Sequence, residues 1–148
     1  MKRKRGYFGI GIYNHKFGVN VGTLWRSSFI LGASFIFTIG KKYKSQAMDT
    51  TKAIRHIPLF YFDTIEDLKK SMPKEAKLVG IEMTEDAIDI KNYKHPQQAI
   101  YLLGTEDVGL PDDVLEMCDD VIKLPGDISL NVSVAGSIVL FDRINKLS

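Results

Sequence analysis

The feature that most narrows the fold is an alternation. Short apolar, β-branched or aromatic runs recur along the chain, and most are followed by a stretch with helical character. Residues 7–13, 33–39, 57–62, 77–83, 98–104 and 120–125 read as strands, from runs such as YFGIGIY, ASFIFTI and QAIYLLG. Strands this continuously apolar belong to sheets covered on both faces, and strands that alternate with helices pair in parallel. Residues 21–32 read as a helix entered through Asn20 and ended at Gly32. Residues 64–72 read as an amphipathic helix, with Thr64 three residues before Asp67. A short helix over 111–118 has Pro111 at its start and Asp112 and Asp113 in its first turn, which suits the helix dipole. The last helix runs from about 130 to 146. The expected fold is therefore α/β: a mainly parallel six-stranded sheet with helices on both faces. One domain over 1–148 is the expectation for this length. The segments 40–56 and 84–97 exceed the usual connection length, which marks them as functional loops.

Composition excludes some classes. At 45% hydrophobic and 26% charged the chain is an ordinary globular sequence, and no stretch is long enough to span a bilayer. The opening MKRKR followed by GYFGIGIY imitates a secretory signal, but it lacks a small-residue cleavage pattern and reads as the first strand. Net charge is only +2, yet basic residues cluster at Lys2–Arg5, at Lys41, Lys42 and Lys44, and at Lys52 with Arg55. Such runs fit phosphate contacts, with a solvated surface as the competing reading, and Arg5, Lys41, Lys42, Lys44 and Arg55 are the candidates. Cys118 is the only cysteine, so no internal disulfide forms and a reducing, cytoplasmic location is expected. No base flanks it, so it reads as a structural thiol. His15, His56 and His95 share no ligand spacing with each other or with Cys118, so no metal is expected. The acid pair Asp119–Asp120 reads as a solvated turn.

Three constellations carry chemistry. In the first, Asn20 stands where it would cap a helix, Gly22 permits a close approach, and Arg26 lies among apolar neighbours. A planar guanidinium there suits a phosphate or a carboxylate, although a surface arginine beside the core fits as well. In the second, a buried strand runs into Gly104, a turn bearing Glu106, and Gly109. A strand C-terminus that opens into a glycine loop is where α/β sheets bind ligands; a plain tight turn is the alternative. In the third, another strand reaches Gly126, and Ser129, Asn131 and Ser133 follow at the mouth of the last helix. Those groups are either caps or ligands for an anion. The helix behind them is apolar almost all round through Phe141, the mark of a core element or a subunit contact. The glycines of GIGIY fall inside a strand rather than after it, which discounts a dinucleotide fingerprint.

Taken together, in this order, the three segments resemble the SpoU branch of the SPOUT RNA methyltransferases. Asn20, Gly22 and Arg26 match N-x-G-x-x-x-R; Gly104, Glu106, Gly109 and Leu110 match G-x-E-x-x-G-L; Ser129 to Ala135 match S-L-N-V-S-V-A throughout. The resemblance covers essentially the whole chain. It implies an α/β fold with a C-terminal deep trefoil knot, whose loops follow Ile81, Gly104 and Leu124. It also implies a homodimer, S-adenosylmethionine as cofactor, and methylation of a ribose 2′-hydroxyl in RNA, tRNA ahead of rRNA.

By the same resemblance Arg26 is catalytic, acting across the dimer either as general base or as electrostatic stabiliser. Asn20 would orient it, Ser129 and Asn131 would place the RNA and the helix mouth, and Glu106 would fix its loop or a ribose hydroxyl. Ile81, Leu103, Gly104, Gly109, Ile122, Leu124, Gly126 and Leu130 would hold the cofactor. One departure stands out: Leu124 to Ile128 lead straight into Ser129, where family members often carry a longer insert. The chain also shows no extra RNA-binding domain in front, so RNA contact is expected from this domain. A catalytically silent RNA-binding or assembly factor on the same fold, and an unrelated flavodoxin-like nucleotide or partner-binding domain, are the competing classes.

Overall fold

The computed structural model describes residues 6–44, 56–105, 107–126 and 130–147. Among them lie strands β1 (Tyr7–Tyr13), β2 (Phe35–Ile39), β3 (Leu59–Phe62), β4 (Lys77–Ile81), β5 (Ile88–Asp89), β6 (Gln98–Leu103) and β7 (Asp120–Lys123). They form one sheet in the order β3-β2-β1-β6-β4-β7-β5, and every pair is parallel. The helices are α1 (Gly18–Ile30), α2 (Ile65–Ser71), α3 (Asp112–Met117) and α4 (Val132–Lys146). The chain builds outward from β1 to β3, returns to β4 on the other side, and then slots β6 between β1 and β4. The order therefore reverses next to β6, the place where open parallel sheets bind ligands beyond their C-terminal ends.

The strand alternation divides the core into two layers. Phe8, Ile10 and Ile12 of β1, with Val79 and Ile81 of β4 and Tyr101 and Leu103 of β6, pack under Leu24 and Trp25 of α1 and Val132, Val139 and Leu140 of α4. Phe37, Ile39, Leu78, Ile100 and Leu102 face the other way, against Ile65 and Leu68 of α2 and Val114 of α3. Gly9 and Gly11 point to this second layer, and a Cβ on either would fall 2.3 or 2.4 Å from the rings of Phe35 and Phe37. They let two aromatic rings lie flat on β1, which is why they sit inside the strand.

Three sequence expectations are corrected. The sheet has a seventh strand: β5, which pairs Ile88 with Ile122 and Asp89 with Lys123, lies in a segment expected to be irregular. Two residues are too few to show a period, so only the pairing with β7 reveals it. Asn20 does not cap α1. The helix starts earlier, at Gly18, with Phe17 in the cap position, and Asn20 is buried in the first turn. Asp119 is exposed in a bend, as expected, but Asp120 opens β7 and both carboxylates are engaged. Asp119 Oδ2 accepts from Leu78 N at 2.8 Å, and Asp120 Oδ2 accepts from Tyr93 Oη at 2.7 Å, so each ties β7 to a neighbour. Other expectations hold. Thr64 caps α2 by accepting from Asp67 N at 3.2 Å, and Pro111 stands before α3 with both aspartates in its first turn.

A polar network anchors the far end of α4. Arg143 is fully buried and donates to Pro96 O (2.7 Å), Gln97 O (2.9 Å) and Tyr101 Oη (3.1 Å), with its guanidinium 4.6 Å from the centre of the Phe8 ring. His95 bridges Tyr101 Oη (2.6 Å) and Asp142 Oδ2 (2.7 Å). Because the carboxylate only accepts, Nε2 of the neutral imidazole carries the proton and Nδ1 accepts from Tyr101. Every bond in the chain Arg143–Tyr101–His95–Asp142 then runs in one direction. Truncating a charged member of such a buried set costs about 3–5 kcal/mol.

Candidate functional site

A cavity of about 410 Å³ opens beyond the C-terminal ends of β4 and β6. Its volume lies within the roughly 300–1,000 Å³ of small-molecule sites. Three chain segments wall it: Ile81–Met83 after β4, Leu103–Thr105 with Asp107–Gly109 after β6, and Leu124–Pro125 after β7, with Leu130 just before α4 and Val132 and Ala135 on it closing the cavity. Aliphatic side chains of Ile81, Leu103, Leu124, Leu130 and Val132 share the wall with Glu82, Thr105 and Asp107, a mixture that suits a flat heteroaromatic ring carrying polar substituents.

The loop after β6 is closed on itself. Gly109 N donates to Thr105 O at 2.9 Å, and Gly109 has φ +68, a left-handed conformation that favours glycine. Gly104 is packed so tightly against this turn that a Cβ would lie 2.3 Å from the carbonyl carbon of Gly109. Glu82 ties the first loop to the second. Its Oε2 accepts from Leu110 N at 2.7 Å, while Oε1 accepts from Met83 N at 3.0 Å. Its own N–H donates to Ile122 O at 3.0 Å, so one residue links β4, β7 and the loop after β6.

At the rim, Asn131 is the N-cap of α4. Its Oδ1 accepts from Ser133 N (2.9 Å), Val134 N (3.3 Å) and Ser133 Oγ (2.6 Å), and its Nδ2 donates to Asn20 Oδ1 (3.1 Å). Two residues that are 111 positions apart in the chain thus meet where α1 and α4 begin. Arg26 is six residues beyond Asn20, about 240° further round the helix. It is exposed, lies outside the cavity lining, and projects from the outer face of α1. Within the chain, Asn20 Oδ1 meets Asn131 Nδ2, while Arg26 lies on another side of α1.

Of the residues expected to hold a cofactor, Ile81, Leu103, Gly104, Gly109, Leu124 and Leu130 line the cavity. Ile122 is fully buried behind the wall and contributes through its carbonyl; Gly126 is exposed outside the lining, with φ +113. Glu106 and Ser129, like Arg5 and Arg55, lie outside the described residues. Lys41, Lys42 and Lys44 are exposed; Lys41 donates to Lys16 O at 3.3 Å, and Lys42 Nζ lies 5.2 Å from the centre of the Tyr61 ring. Among the described residues no cluster of metal-ligating side chains occurs. Sequence reasoning missed Glu82, because the apolar run was carried to Met83 and placed the carboxylate inside a strand. The signal was present: a charge ending an apolar run marks a strand's C-terminal end, where ligands bind in such sheets.

Burial sets the ionisation of the surrounding groups. It pushes the Cys118 thiol up to about 11, with Lys69 pulling the other way. It pushes Tyr101 up to about 12 against the opposing field of Arg143. Neither group is poised for proton transfer at neutral pH.

The model of the SpoU rRNA methylase family matches residues 9–141. A curated relative, the tRNA (guanosine(18)-2'-O)-methyltransferase TARBP1 of Mus musculus, is 26% identical over 132 residues, which is 83% of this chain and 8% of that protein. The 23S rRNA (guanosine-2'-O-)-methyltransferase RlmB of Acinetobacter baylyi is 28% identical over 104 residues, 68% of this chain and 37% of that protein. The chain thus spans well under half the length of these relatives. An rRNA methyltransferase of Sinorhizobium meliloti, solved with bound AdoMet, superposes with a TM-score of 0.83 at 20% identity, over 99% of this chain and 61% of that one. With the family model matched along nearly its full length, the chain belongs to the SpoU methylase family.

Proposed function

We propose that this protein is an RNA ribose 2′-O-methyltransferase that uses S-adenosylmethionine, with tRNA ahead of rRNA as substrate. The observation that carries this reading is the 410 Å³ cavity at the reversal point of the sheet, lined in part by two of the three motif segments, through Gly104 and Gly109 and through Leu130, Val132 and Ala135. When bound there, S-adenosylmethionine supplies an electrophilic methyl group on a sulfonium. Ile81, Leu103, Leu124 and Leu130 would enclose the adenine, and backbone groups around Gly104 and Gly109 would read its edge. Relatives named for tRNA and for rRNA match comparable shares of the chain, 83% and 85%; a solved structure titled for 2-OH methylation of C/U34 on tRNA, which matches over 97% of both chains, supports placing tRNA first. We place the activity in a reducing compartment, the cytoplasm.

The proposal includes a homodimer. Val19 (56% exposed) and Ile30 (66%) flank Arg26 on the outer face of α1, and Val134, Ile138 and Phe141 form a stripe along the outer face of α4. Their spacings of three, four and seven residues put each set on one side of its helix. The two helices pack side by side, so a charged guanidinium sits in an apolar field. Docking two such faces would bury that field and carry each Arg26 to the partner's cavity. There it fixes a phosphate of the RNA and stabilises the oxygen that develops charge as the 2′-hydroxyl loses its proton. The electrostatic role is favoured because a guanidinium scarcely releases its own proton. The proposal also includes the trefoil knot, supported by β6 lying between β1 and β4 and by α4 returning across the loops to α1.

Incubation with methyl-labelled S-adenosylmethionine and purified tRNA or rRNA tests the reading. Label in a ribose 2′-O-methyl nucleotide, lost in Arg26→Ala, is expected. RNA binding without transfer would instead show a silent binding factor. Sedimentation of the wild type against Ile138→Glu tests the dimer.

A further inference from the structure

We infer that Glu82 makes the cofactor site selective for a cationic ligand over its neutral product. This rests on the methyl-donor reading above and adds a residue outside the three family motifs. Among the described residues that line the cavity, Glu82 and Asp107 are the only ionisable ones, and no lysine, arginine or histidine lines it. Asp107 is ion-paired with Lys16, and its side chain is 55% exposed, so solvent and the ammonium attenuate its field. Glu82 is half-buried and held from two sides by the amides of Leu110 and Met83. A carboxylate offers about four acceptor positions, so two amide bonds leave lone pairs for the cavity. The result is a fixed negative charge on a wall that holds no cationic side chain among the described residues.

Methyl transfer changes the ligand's charge at this wall. The sulfur–methyl bond breaks and the methyl group passes to the ribose oxygen, which loses its proton. The sulfur keeps the bonding pair and becomes a neutral thioether. The sulfonium's attraction to Glu82 is therefore present before transfer and absent after it, while the ammonium and carboxylate of the amino-acid end are common to both ligands. A carboxylate fixed there favours loading of S-adenosylmethionine and release of S-adenosylhomocysteine.

Calorimetric titration of both ligands into the wild type and Glu82→Gln tests this. Glutamine is close in shape but places an N–H donor against a backbone amide, so some general loss of affinity is expected. The decisive quantity is the ratio of the two dissociation constants. Glu82→Gln should shift that ratio about tenfold toward S-adenosylhomocysteine, the size of one partly screened charge at close range. Glu82→Asp, which keeps the charge, should hold the ratio near wild type even if both affinities fall. Equal weakening of both ligands in Glu82→Gln would overturn the inference and reduce Glu82 to a loop tie. A wild type that binds neither ligand would overturn the methyl-donor reading itself.

Discussion

Asn131 Nδ2 donates to Asn20 Oδ1 across 3.1 Å while Oδ1 of the same side chain caps α4. One carboxamide thus starts the last helix and fastens it to the first. Asn131→Ala removes both functions and should lower stability by about 1–2 kcal/mol in urea unfolding. Asn131→Asp keeps the capping oxygen and should cost less. Equal losses would show that the tie to Asn20, not the cap, dominates.

Arg26 has the opposite profile. It is exposed on α1. Arg26→Ala should leave the unfolding midpoint within about 0.5 kcal/mol of wild type. Methyl transfer should fall at least about 100-fold, the scale of a lost electrostatic contact in a transition state. A variant that loses stability and activity together would place Arg26 in the scaffold instead.

Gly104→Ala would press a methyl group against the Gly109 backbone, at 2.3 Å before relaxation. Both atoms belong to a closed turn, so neither yields cheaply. A stability loss of about 1–3 kcal/mol is expected. Saturable S-adenosylhomocysteine binding should also disappear in a thermal-shift titration. Normal binding would mean the turn opens without consequence for the cavity.

His95 makes stability depend on pH. Burial holds it below its ordinary value of 6.5; Asp142 pulls it up, while Arg143 and Lys146 push it further down. His15 is lowered likewise, by burial and by Lys41. Below 6.5 the unfolded chain takes up protons that the native state refuses, so this contribution is whole above 6.5 and is lost as pH falls toward the lowered native values. The melting temperature should therefore drop between about pH 7 and about pH 5.5, each histidine contributing at most about 1.4 kcal/mol per pH unit. His95→Gln should melt lower at neutral pH and show a shallower acid slope. An unchanged slope would remove His95 from the account.

Cys118, with its thiol pushed up to about 11 by burial, should be alkylated far more slowly than a free thiol at neutral pH. Mass spectrometry after iodoacetamide treatment, with and without urea, measures the difference. Rapid labelling of the native protein would contradict the packing of Cys118 against β4.

Local pattern determined most of the elements. The apolar runs of β1, β2, β4 and β6 and the start signals of α2 and α3 are short-range properties of adjacent residues, so they were readable in order. The three motif segments were readable too, because residue type and spacing carry them. Tertiary structure decided the rest. β5 exists only because β7 offers it a partner. Asn20 leaves the cap position because its carboxamide finds Asn131 from the other end of the chain. Glu82 becomes part of the cavity wall only when the loop after β6 folds back to it. The partners of His95 and Arg143, among them Tyr101 and Asp142, lie far away in the chain or are set by the fold. The physical reason is one of range. Backbone propensity and side-chain periodicity act over a few residues, whereas buried polar groups must find whichever partners the completed fold brings within about 3 Å.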